Sequence, residues 1–80
     1  MSRAGYFNKR RDYMRFTLVY SEQQFDGKPP KRYTLKNLTL DNVKSVVEIL
    51  RVPIPGLLIK FIVYDSSNAI YAVGDNKEAL

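Results

Sequence analysis

Hydrophobic and polar side chains alternate along residues 13–20 (YMRFTLVY), with Met14, Phe16, Leu18 and Tyr20 on one side and Tyr13, Arg15, Thr17 and Val19 on the other. A period of two, rich in aromatic and β-branched residues, predicts a strand. Residues 32–38 (RYTLKNL) predict a second strand, shorter and more polar, with the Lys and Pro that blunt a sheet edge. Between them, residues 21–31 (SEQQFDGKPPK) read as a long polar connection. Asp26-Gly27 signals a turn there, and Pro29-Pro30 supply no ladder donors. Either the strands extend into this stretch or it is a binding loop.

The period then changes. Leu40, Val43, Val46, Val47 and Leu50 make one apolar stripe at helical spacing. Thr39 is suited to cap the helix, and Leu38 and Val43 have the spacing of a hydrophobic staple. Asp41 falls at the positive helix end and Arg51 at the negative one. Pro53 and Pro55 stop the helix, and Gly56 permits a sharp exit. Residues 57–64 (LLIKFIVY) alternate Leu57, Ile59, Phe61 and Val63 against Leu58, Lys60, Ile62 and Tyr64. Both sides are apolar, which predicts a central strand. Asp65-Ser66-Ser67-Asn68 reads as a turn, residues 69–73 (AIYAV) as the last strand, and Gly74-Asp75-Asn76 as its end.

The element order strand, strand, helix, strand, strand predicts an α+β domain. One helix packs on one face of a four-stranded antiparallel sheet of order 2-1-3-4. That order puts the two most apolar strands in the centre. Residues 1–12 (MSRAGYFNKRRD) have no period and read as a basic flexible arm, residues 13–76 as the domain, and residues 77–80 as a tail.

Eighty residues make one domain. The chain has no cysteine and no histidine. That removes thiolate chemistry, the usual base near neutral pH and the common zinc sites. The glycines are too scattered to cradle a phosphate, and the Asp65–Asn68 turn lacks the alternating acids of a calcium loop. The expectation is a non-catalytic protein with no metal and no cofactor. No apolar run is long enough to span a bilayer, and the basic N-terminus has no apolar stretch behind it. A cytoplasmic protein without a membrane partner is expected.

Charge then suggests a site. Residues 1–36 hold nine basic and three acidic side chains, and residues 37–80 hold four basic and five acidic ones. The expected strands contain Arg15, Arg32, Lys36 and Lys60 but no carboxylate, so the sheet face away from the helix should be positive. Tyr13, Thr17, Val19, Thr34, Leu58, Ile62 and Tyr64 interleave with these cations. Arg3, Lys9, Arg10 and Arg11 of the arm, and Lys28 and Lys31 of the connection, would extend the surface.

Cations among aromatic rings suit phosphates and bases, so the first expectation is nucleic-acid binding by the open face and arm. The second is protein binding. The layout resembles that of many compact phage-encoded inhibitors of host enzymes, which implies docking on an acidic surface of a nucleic-acid enzyme. The apolar residues among the cations would then form the centre of the contact. A homodimer through the open face or an edge strand is the third.

Overall fold

The computed structural model describes residues 14–77. They form β1 (Phe16–Gln24), β2 (Lys31–Leu38), α1 (Leu40–Leu50), β3 (Leu57–Tyr64) and β4 (Ile70–Asp75). The strands make one antiparallel sheet of order β2-β1-β3-β4, as the sequence pattern implies. The basic arm and Glu78 to Leu80 of the tail lie outside the described residues.

The helix starts where Thr39 caps it. The Thr39 hydroxyl accepts from the Asn42 amide, and Asn42 Oδ1 accepts from the Thr39 amide. Two backbone donors that the helix itself leaves orphaned are thereby satisfied. Asn42 lies outside the apolar stripe, so the stripe by itself does not mark this role. Arg51 forms the C-cap, its amide donating to the Val47 carbonyl and the Val52 amide to that of Ile49. The chain turns back at Ile54-Pro55-Gly56-Leu57, where the Leu57 amide donates to the Ile54 carbonyl at 3.1 Å. Gly56 takes φ 80°, so a glycine is needed at the third position of this turn.

The core is one cluster on the helix side of the sheet. Phe16 and Leu18 of β1, Ile59, Phe61 and Val63 of β3, and Val43 and Leu50 of α1 are buried. Leu38, Leu40, Val46 and Val47 pack against them, so the stripe and the staple meet the sheet as expected. Tyr20 also packs on the core and stacks on Tyr33 with ring centroids 4.9 Å apart. Burial raises both tyrosine pKa values first, and the nearby Glu22 carboxylate adds to the shift.

Three strand boundaries differ from expectation. The first strand runs from Phe16 through the polar stretch to Gln24, leaving Met14 and Arg15 before it. The second begins at Lys31, so the connection shrinks to Phe25–Pro30. The fourth continues through Gly74 to Asp75. The reason is pairing. Every residue of β3 has a partner on β1, from Thr17 opposite Tyr64 to Gln24 opposite Leu57. Ladder hydrogen bonds use the backbone, so Ser21, Glu22, Gln23 and Gln24 pair as well as apolar residues do.

The extensions overturn the expectation of a carboxylate-free sheet. Glu22 and Asp75 both lie in strands.

Candidate binding face

Cross-strand register sorts the open face into rows. One row runs Thr34, Val19, Ile62, Val73 across all four strands. The next runs Arg32, Ser21, Lys60, Asp75. On the other side of the first row lie Thr17, Tyr64 and Ile70. Lys36 follows Leu35 and precedes a bulge opposite Thr17, with Asn37 in the left-handed region at φ 60°. Alternation keeps Lys36 on the face of Thr34. Below the cationic row, Gln23 pairs with Leu58.

The face is therefore an apolar band with charge to either side. Val73 and Ile70 are each 64% exposed, unusually high for aliphatic side chains on a sheet. Val19, Ile62, Leu58 and Tyr64 are half-buried, while Arg32, Lys36 and Lys60 are exposed. Asp75 sits directly opposite Lys60. Its Oδ1 also accepts from the Lys77 amide at 3.0 Å. Arg32 and Lys36 face no carboxylate in register; their neighbours on β1 are Ser21 and Thr17.

Of the residues singled out from the sequence, Arg32, Lys36, Lys60 and Tyr64 share this face. Arg15 precedes β1, and its Nη1 donates to the Met14 carbonyl at 3.3 Å. Lys31 is set apart. It pairs with Glu22, so it alternates away from Arg32 to the helix side, beside Glu22, Asp26 and Lys28. Arg3, Lys9, Arg10, Arg11 and Tyr13 lie outside the described residues.

Sequence reasoning left out Val73 and Ile70. Their places depend on the register of β4, which shifts between Val63 and Tyr64. It also left out a groove at the end of the sheet. Phe25, Pro53, Ile54, Pro55, Leu57 and Leu58 line a space of about 360 Å³ there. Phe25 is 74% exposed beside it. Leu58 belongs both to this groove and to the open face, so apolar surface continues from one to the other.

Among the described residues no group of three or more His, Cys, Asp or Glu side chains is placed to hold a metal ion. No helix there is long and apolar enough to cross a membrane. No protein-family model, curated protein or solved structure matches the chain.

Proposed function

We propose that this is a non-catalytic cytoplasmic protein that binds another protein through the open sheet face. The observation that carries it is the exposed aliphatic band, with Val73 and Ile70 each 64% exposed, between cations. Protein contacts combine a desolvated apolar centre with a polar rim, and this band has that form. The partner surface would be apolar at its centre with carboxylates placed to meet Arg32, Lys36 and Lys60. An acidic face of a nucleic-acid enzyme has the required charge. Tyr64 is the single aromatic ring placed on this face among the described residues, which is few for base stacking.

The test is capture from nuclease-treated lysate with purified wild-type protein and two charge-reversed variants. Lys60→Glu alters the face; Lys44→Glu alters the exposed outer side of the helix. The expected result is a stoichiometric protein retained by wild type and K44E and lost by K60E. Equal retention by all three, or none by wild type, overturns the proposal.

Nucleic acid remains the second reading, favoured by one observation: Arg32 and Lys36 have no acidic neighbour across the ladder. Oligonucleotide titration decides it. If about four phosphates are neutralised, affinity falls roughly a hundredfold between about 50 and 200 mM salt. No binding at the lower salt removes this reading.

A further inference from the structure

The two sheet edges are built differently. β2 carries Lys31, Arg32 and Lys36, follows Pro29-Pro30, and is interrupted by the Asn37 bulge. These are the devices that keep an edge from pairing with another chain. β4 also has a bulge, at Tyr71, but over Ile70 to Val73 it carries no Lys, Arg or Pro. Ile70, Tyr71 and Val73 are all exposed there. Tyr71 meets the core residue Phe16, with ring centroids 4.9 Å apart, while Ile70 and Val73 lie on the open face. Apolar residues on both faces are the pattern of an interior strand, as in β3. Yet β4 has a neighbour on one side alone among the described residues.

We infer that β4 pairs antiparallel with β4 of a second copy, joining two sheets into one of eight strands. The register centres on Val73, which then lies opposite itself, with Ala72 opposite Gly74 of the second copy. Antiparallel pairing of one strand with itself is isologous and closes as a dimer. Register about Val73 puts Val73 beside its own copy on the open face, so the two apolar bands meet there; beyond Ala72 the bulge at Tyr71 ends the match of faces.

Charge selects this edge over the other. The described cations of the sheet lie on β2 and β3, while the end of β4 carries Asp75. Joining two β4 strands puts the two β2 strands about 34 Å apart, several Debye lengths at physiological salt. Joining two β2 strands about Thr34 would instead bring Arg32 of each copy against Lys36 of the other.

The inference does not depend on the proposed partner, because its test uses purified protein alone. Sedimentation at concentrations on the order of 10–100 μM should show a dimer for the full chain. Val73→Lys places two ammonium groups opposite each other and should weaken the dimer about tenfold or more. Thr34→Lys adds the same charge to the same row at the β2 edge and should leave it unchanged. Circular dichroism checks that each variant folds. Amide exchange of wild type gives a second readout: protection in Ile70 to Gly74 should rise with concentration while that of β2 stays constant. A monomer throughout this range, equal effects of V73K and T34K, or concentration-dependent protection on β2 instead of β4 overturns the inference. Should V73K fail to fold, the wild-type exchange pattern decides alone.

Discussion

The side-chain oxygen of Asn76 accepts a hydrogen bond from the backbone amide of Ile59 at 2.8 Å. Asn76 Nδ2 donates to the Leu57 carbonyl at 3.0 Å, and the Asn76 amide donates to the Ile59 carbonyl at 3.0 Å. One side chain, 3% exposed, thus completes the ladder of β3 where β4 has ended. A longer contact of 3.5 Å from Nδ2 to the Val52 carbonyl ties in the segment after the helix. Asn76→Ala would leave buried backbone groups of β3 unpartnered. The expected loss is about 2 kcal/mol, measured by urea unfolding. Asn76→Asp keeps the acceptor but loses the donor and buries a charge, so it should be no better than alanine. Full stability in either variant would show that water replaces the amide.

Gly74 lies opposite Phe61, and a Cβ built on it would stand 2.6 Å from the Phe61 Cζ. The ring of Phe61 fills the space a side chain would take. Gly74→Ala should destabilise the fold by about 1–3 kcal/mol through overpacking. In a Phe61→Leu background the ring is gone, so the added cost of G74A should shrink. A double-mutant cycle measures this coupling, and additive effects would contradict the contact.

Asp65 organises the turn between β3 and β4. Its Oδ1 accepts from the Ser67 hydroxyl, the Ser67 amide and the Ala69 amide. These bonds, led by the one from the Ser67 hydroxyl, lower its pKa from the ordinary carboxylate value. A depressed folded pKa contributes stability that is present above the unfolded value, about 3.9, and lost as pH falls through the folded value. Asp65→Asn keeps an acceptor but no charge. Wild type should therefore be the more stable at neutral pH, with the difference closing in acid. A difference that persists when Asp65 is protonated would contradict this account. NMR titration of the Asp65 carboxyl checks the direction directly.

The reciprocal cap predicts non-additivity. Thr39→Ala should cost about 1 kcal/mol by thermal or urea unfolding. The Thr39 hydroxyl also donates to Asn42 Oδ1 at 2.8 Å, so the two side chains hold each other. Once Thr39 is gone, Asn42→Ala should cost less than it does in wild type. Equal costs in both backgrounds would mean the two bonds form independently.

The helix and the central strand were legible because each has a strong local period. Leu40, Val43, Val46, Val47 and Leu50 could be sorted to one side without knowing what lay beneath them. The same holds for Arg32, Lys36, Lys60 and Tyr64, since alternation along a strand fixes their face whatever its neighbours are. The ends of the strands had no such signal. Ser21 to Gln24 and Gly74-Asp75 are polar or small, and they extend because β3 offers backbone partners along its whole length.

Periodicity in the chain determined the element order, the antiparallel layout and which cations share the open face. Tertiary pairing decided which of them have a carboxylate opposite. Register brought Asp75 opposite Lys60 and moved Lys31 to the other side beside Glu22. It also set Val73 and Ile70 on the exposed face and buried Asn76, a residue that by itself reads as a turn. The physical reason is that alternation is a property of one strand, whereas register is a relation between two. A single residue of bulge, as at Asn37 or beside Tyr71, changes the second without marking the first.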